Sequence, residues 1–315
     1  MISDERIVKE LGNVLQESNL EGCGTLERGK VRDSYKNGDR RVIVVTDRIS
    51  AFDCVLGTIP FKGQVLNQLA AFWFERTQDI VPNHVISVPD PNIMIVKECE
   101  QLPLEFIVRG YITGVTKTSA WYNYEKGART ICGNRLPDGL RKDQKLDAPI
   151  ITPTTKLEAH DRNISREEAI SEGLIDGDTF DECAEICLTL YASAVEHAAS
   201  QGLIFVDTKY ELGRLDGRIV VSDEINTPDS SRYWFADTYE DRFDAGQEQR
   251  KLDKEYVRQW LAGQGFRGDG TPPDLPDDVR VEAARRYIQA YELVTGQPFV
   301  VHDEPIAGRM AKAMA

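Results

Sequence analysis

Four residues of one hairpin-like stretch, 203–223, could do chemistry together: Asp207, Lys209, Glu211 and Asp223, with Glu224 just beyond. Hard oxygen ligands flanking a lysine are what a Mg²⁺–nucleotide site needs. The metal bridges phosphate oxygens and the lysine neutralises the charge that remains. Register decides whether the acids can meet. With the turn centred on Leu215-Asp216, Glu211 lies opposite Val220 and Asp223 falls three residues further on, about 10 Å away at strand rise. Convergence on one ion then requires twist or a bulge. A solvated acidic hairpin is the competing explanation.

Three other stretches add charged groups at strand ends. Thr46-Asp47-Arg48-Ile-Ser50-Ala-Phe-Asp53 follows an apolar run and supplies two acids, a cation and a hydroxyl. Arg109-Gly110 sits late in LEFIVRGYI, where the arginine fork suits a carboxylate or phosphate; a structural Arg–Asp pair between these two segments is the alternative. In VSDEINTPDSSRYW, a strand-like run ends in two acids, and a Pro-Asp-Ser-Ser turn delivers Arg232 beside two aromatics. Gly29-Lys30 belongs to a near-match to a phosphate loop, but Val31 stands where a metal-binding Ser or Thr is required, so it is no Walker A motif. A Gly-Lys pair on a hairpin can still set an ammonium against phosphates. Gly263-Gln-Gly265-Phe-Arg-Gly268 matches a dinucleotide fingerprint in letters only, since a helix rather than a strand precedes it.

These residues must be positioned by elements that the patterning makes legible. Ile7, Leu11, Val14 and Leu15 recur at helical spacing. TLERGKVRDSY and RVIVVT read as strands joined at KNGD, and GQVLNQLAAFWFERT as a helix packed on them. HVISV, IMIVK and LEFIVRGYI are three more strands. Residues 127–163 are rich in Gly, Pro, Asp and Lys and read as a functional loop. Ser165 and Glu168 form a capping box. A helix over about 178–200 precedes the hairpin of LIFVDTKYEL and RIVVSDE, and helices near 247–262 and 277–294 close the chain. Strands followed by helices predict α+β layers.

Bulk properties narrow the function. Net charge is 38 − 52 = −14, which argues against nonspecific nucleic-acid binding. Anionic substrates would need local cations or a metal to overcome that field. No run of about 18 apolar residues exists, so no membrane span is expected, and a mixed-charge start without an apolar core places the protein in the cytoplasm. The six cysteines form no C-x-x-C pair, and Cys183 and Cys187 on a helix read as buried thiols.

GKVRDSY, VVTDRISAFD, FIVRGYITG, TPTTK, VDTKYELG and SDEINTPDSSRYW, in this order, resemble the SAICAR synthetase family of purine-biosynthesis ligases. The resemblance spans about residues 25 to 260. It implies ATP, Mg²⁺, L-aspartate and the carboxylated aminoimidazole ribotide CAIR as ligands, with SAICAR, ADP and phosphate as products. It further implies a SAICAR synthetase-like fold: an N-terminal antiparallel β-rich, nucleotide-covering subdomain (1–112), an ATP-grasp-like α+β subdomain with the metal and substrate sites (113–246) and C-terminal helices (247–315). Carried over residue by residue, Gly29 and Lys30 face phosphate, Lys97 lies near the adenine, and Glu211 and Asp223 bind the metal. Lys209 lies near the reacting groups, and Arg109 binds substrate. Asp229, Ser231 and Arg232 hold the ribotide and its phosphate; Asp47, Arg48, Ser50 and Asp53 line the cleft. The chain departs from the family's T-G-S by four residues inserted between Gly114 and Ser119, and Ser119 is taken as the contacting hydroxyl.

Three anionic substrates repel one another, and a carboxylate must be activated before it forms an amide. Phosphoryl transfer to CAIR would give an acyl phosphate open to the aspartate amine, with Asp207 assisting proton loss. A monomer or small homo-oligomer is expected. A small-molecule kinase, another carboxylate–amine ligase and a nucleotide-sensing module are the rival readings.

Overall fold

The computed structural model describes residues 2–51, 54–156, 161–252, 255–266 and 270–315. Its first sheet is antiparallel throughout, in the order Thr25–Arg28, Arg32–Asn37, Arg40–Val45, Ile93–Lys97, Val85–Asp90. The run RRVIVV is apolar without alternation because both of its faces are covered. Ile43 and Val45 join the core formed with the helix Lys62–Arg76, while Val42 and Val44 join Leu15, Leu20, Tyr35 and Met310 on the other side. The expected first strand is split: the chain turns at 29–31 and pairs Thr25–Arg28 with Arg32–Asn37. The N-terminal helix stops at Lys9; Leu15 lies beyond it, held by its N–H to Asp47.

The second sheet runs Gln144–Ile151, Glu100–Ile112, Leu203–Leu215, Arg218–Ser222, with Ser231–Phe235 also on Leu203–Leu215. Glu100–Ile112, which a boundary at 112 leaves with the N-terminal part, hydrogen-bonds into this second sheet, so the sheets part between Lys97 and Glu100. They touch where Val221 N–H donates to Pro82 O at 3.0 Å. The helix Gly177–Ser200 covers one face with Leu190, Tyr191, Ala194 and the buried free thiols of Cys183 and Cys187. Its close approach requires Gly110, where a Cβ would lie 2.1 Å from Tyr191 Oη. The capping box at Ser165 and Glu168 forms as expected.

Residues 127–163 are less irregular than their composition suggests. They contribute the edge strand Gln144–Ile151 and the two-residue strand Thr154–Thr155, both paired with Glu100–Ile112. Helices Glu255–Gly263, Asp277–Thr295 and Ile306–Met314 end the chain, and Asp277–Thr295 packs on Lys62–Arg76. Among the described residues no helix is long and apolar enough to cross a membrane.

Candidate active site

The hairpin turn falls on Asp216-Gly217, with φ of 49° and 77°, the D-G signature of a tight type I′ connection. That is one residue later than the expected centre. Glu211 therefore faces Ser222 rather than Val220, and Asp223 is one residue away instead of three. Extended backbone would still send Asp223 to the opposite face from Glu211, and its φ of 63°, just past the strand end at Ser222, breaks that alternation.

Both line a cleft of about 500 Å³ with the 29–31 turn, Lys30, Lys97 and Lys156. Glu105 stands directly opposite Glu211 on the neighbouring strand. Two carboxylates side by side repel, and cations are placed to absorb this. Lys209 Nζ lies 2.6 Å from Glu105 Oε1 and 2.9 Å from Glu211 Oε1, and Lys156 pairs with the other Glu211 oxygen. Arg32 bonds Asp223 and reaches Glu224 Oε1 at 2.8 Å. Burial acts to raise the Asp223 carboxyl, but Arg32, Lys209 and Lys156 outweigh it and hold it at about 2. Burial acts to lower Lys209, yet Glu105 and Asp223 raise it; for Lys156 burial prevails and its ammonium is lowered.

A second cluster lies along the same strand. Asp207 is directly opposite Arg109 on one neighbouring strand and Arg232 on the other. Its Oδ2 accepts from Arg232 Nη1 at 2.5 Å and Arg109 Nη1 at 3.4 Å. Arg109 also donates through Nε to Thr152 Oγ1 at 2.7 Å and through Nη2 to the carbonyl of Thr118 at 3.2 Å. The arginine–acid pair allowed for between Arg109 and the 47–53 segment is thus made with Asp207 instead. The four inserted residues loop out and return Ser119 to Gly114: a Cβ on Gly114 would lie 2.5 Å from Ser119 Oγ and 3.1 Å from Arg232 Nη2. Ser231 Oγ is buried within 2.8 Å of Thr208 Oγ1.

The described part of the 46–53 segment, residues 46–51, goes elsewhere. Asp47, expected to line the cleft, is 1% exposed and accepts the N–H groups of Leu15 and Gly63 at 2.7 and 2.8 Å. It caps Lys62–Arg76, whose N-cap Phe61 has φ 65° and no side-chain acceptor. Burial lifts its carboxyl to about 6 against those donors. Arg48 is buried beneath the 29–31 turn. Ser50 is half-buried on the short strand Arg48–Ala51, away from the residues lining the cleft, and Asp53 lies outside the described residues. Asp229 is turned inward too: Oδ2 is 2.9 Å from the fully buried Lys62 Nζ, and Oδ1 accepts from Tyr287 Oη at 2.6 Å.

Arg32, Glu105, Lys156 and Lys62 went unread in the sequence. Glu105 carried a signal, as a lone carboxylate inside the apolar run LEFIV, and Lys156 closes TPTTK. Nothing local marks Lys62, whose ion-pair partner Asp229 is 167 positions away along the chain.

The SAICAR synthetase family model matches residues 25–273. A phosphoribosylaminoimidazole-succinocarboxamide synthase of Legionella pneumophila (strain Paris) is 51% identical over 284 residues, covering 90% of this chain and 91% of the relative. The chloroplastic synthase of Arabidopsis thaliana is 47% identical, covering 97% and 76% respectively. The structure of SAICAR-synthase from Saccharomyces cerevisiae complexed with SAICAR superposes with a TM-score of 0.80 at 33% identity, covering 91% of this chain and all of that one. A likeness that holds over nine-tenths of the length, in sequence and in fold, identifies the scaffold that carries both clusters: the chain belongs to the SAICAR synthetase family of phosphoribosylaminoimidazole-succinocarboxamide synthases.

Proposed function

We propose that this chain joins the amine of L-aspartate to the carboxylate of CAIR, with ATP converted to ADP and phosphate, and that the route runs through an acyl phosphate. The observation that carries this reading is the single strand Leu203–Leu215 bearing both clusters. Asp207, between two arginines, and Glu211, beside Asp223, are four residues apart, about 13 Å at strand rise. One rigid element thus offers an anion-binding end and a carboxylate-and-lysine end side by side. The yeast relative, whose structure holds SAICAR, gives independent support for the ligand class.

In this reading Gly29, Lys30 and Lys97 contact the nucleotide, and Lys30, Lys156 and Lys209 offset charge that an acidic chain otherwise repels. Arg109 and Arg232 anchor the anionic groups of CAIR, with Ser119 and Ser231 as hydroxyl partners. Asp207 already accepts from both guanidiniums, a setting that suits orienting them more than taking a proton from the amine. Glu211 and Asp223 fit a hard divalent ion, being adjacent and, for Asp223, held ionised by its cations. Among the described residues no three ligating side chains converge, so the protein would hold the ion through these two carboxylates. Mg²⁺ bound there supplies neutralisation of phosphate charge.

The steps balance without any further reagent. A CAIR carboxylate oxygen bonds the γ-phosphorus as ADP leaves. The aspartate nitrogen then bonds the acyl carbon as phosphate leaves, and the amine gives up a proton. ADP release with CAIR, followed with and without L-aspartate, tests the assignment. Release coupled to SAICAR formation and dependent on L-aspartate is expected; equal release without it would give the site to a small-molecule kinase instead.

A further inference from the structure

The 29–31 turn is held from below by Arg48, which the sequence placed in the cleft, and by Thr46. Gly29 N–H closes the turn onto Arg32 O at 2.8 Å. Thr46, at the end of the strand Arg40–Val45, donates to Val31 O twice, through its N–H at 3.1 Å and Oγ1 at 2.8 Å. Arg48 takes the rest. Its Nε donates to Lys30 O at 3.0 Å, its Nη2 to Gly29 O at 3.0 Å and to Asp33 Oδ1 at 2.8 Å, and its Nη1 to Gln16 O. Asp33 is fully buried, and its other oxygen accepts Ser18 N–H at 2.7 Å and Ser18 Oγ at 2.9 Å.

We propose that Arg48 is a positioning residue for the nucleotide phosphates, acting through the backbone of the 29–31 turn and touching no substrate. This rests on the reading that Gly29 and Lys30 contact the nucleotide. The physical case lies in what the guanidinium does. Successive carbonyls of a tight turn repel one another and turn outward towards water, and here two of them converge on one planar cation. The turn is thereby fixed before any ligand arrives, so less ordering entropy is lost when phosphates bind. The buried guanidinium sits directly beneath the turn, and Asp33, bonded to the same Nη2 as Gly29 O, keeps the group paired. Lysine cannot replace it, since one ammonium cannot span the carbonyls of Gly29, Lys30 and Gln16 together with Asp33.

The test is steady-state kinetics on Arg48→Lys and Thr46→Val, with Lys30→Ala measured alongside and folding followed by thermal melting. Arg48→Lys is expected to raise KM for ATP about tenfold while KM for CAIR and for L-aspartate stay within about twofold. Thr46→Val, which removes one bond to the same turn at nearly constant shape, is expected to raise KM for ATP about threefold, and it decides the matter alone if Arg48→Lys does not fold. An unchanged KM for ATP in the folded variants, with Lys30→Ala still raising it, overturns the role of Arg48 and leaves the nucleotide reading standing. An unchanged KM for ATP in Lys30→Ala overturns the nucleotide reading itself. A rise in KM for CAIR alone in Arg48→Lys returns Arg48 to the substrate.

Discussion

Two strand ends in this chain carry an acid flanked by polar residues, Thr46-Asp47-Arg48 and Ser222-Asp223-Glu224, and they have opposite fates. Asp47 is buried while Asp223 keeps about a quarter of its side chain exposed, and their neighbours differ as well. Burial lifts Asp47 to about 6 against two backbone N–H groups and the weaker pull of Lys62 and Arg309; Asp223 meets Arg32, Lys209 and Lys156, which outweigh its burial and hold it at about 2. Backbone dipoles ease a buried carboxylate only in part, whereas full cations reverse the cost. The first acid therefore serves a helix N-terminus. The second stays ionised at the edge of a cleft, where a ligand can use it. Residue type does not separate them; the depth of burial and the directly bonded cation at Asp223 do.

The largest effect expected from breaking this contrast is on turnover. Asp223→Asn should lower kcat by about 10²-fold or more with the fold intact, checked by steady-state rates at saturating Mg²⁺ and by circular dichroism. A near-normal kcat would remove Asp223 from the reaction. Arg232→Ala should raise KM for CAIR on the order of 10-fold to 100-fold with a smaller change in kcat, because a charge-assisted contact is lost from the ground state. An unchanged KM would leave Arg232 as a structural partner of Asp207 only.

A smaller effect concerns stability against pH, where the two acids should act in opposite directions. Asp47 is raised above its unfolded value, so its contribution is present below about pH 4 and is lost as pH rises through about 6. Asp223 is depressed, so its contribution is present above about pH 4 and is lost as pH falls through about 2. Each window carries at most about 2–3 kcal/mol. Urea unfolding across pH 2–7 should flatten between 4 and 6 in Asp47→Asn, and between 2 and 4 in Asp223→Asn. The reverse pattern would mean that the neighbours have been assigned to the wrong acids. The smallest expected change is kinetic: Asp47→Ala should leave KM for CAIR and for L-aspartate within about twofold while costing about 1 kcal/mol of stability through the lost cap.

Much of the cleft was legible because its residues are spaced by strand geometry. Asp207, Lys209 and Glu211 lie within five positions, and the hairpin brings Asp223 back to them. The error there was one residue of register, and Asp216-Gly217 held the information to avoid it, since D-G fixes the two central positions of a tight hairpin. Thr46-Asp47-Arg48 misled for a different reason. A strand end can project into a cleft or into the next layer, and only the helix at Lys62–Arg76 and the turn at 29–31 decide which. Asp229 shows the same limit, since its partners Lys62 and Tyr287 come from helices far apart in the chain.

By itself the sequence determined the periodicities, the capping box at Ser165 and the turns, and the order of motifs that marks the family. Those depend on neighbours a few residues apart, where propensity and local hydrogen bonding act. The tertiary structure alone decided which acids face cations and which face backbone donors. It also brought Glu105 opposite Glu211, and set Arg48 beneath the 29–31 turn. These outcomes depend on burial and on charges brought together across strands and helices, and neither is a property of any short stretch of chain.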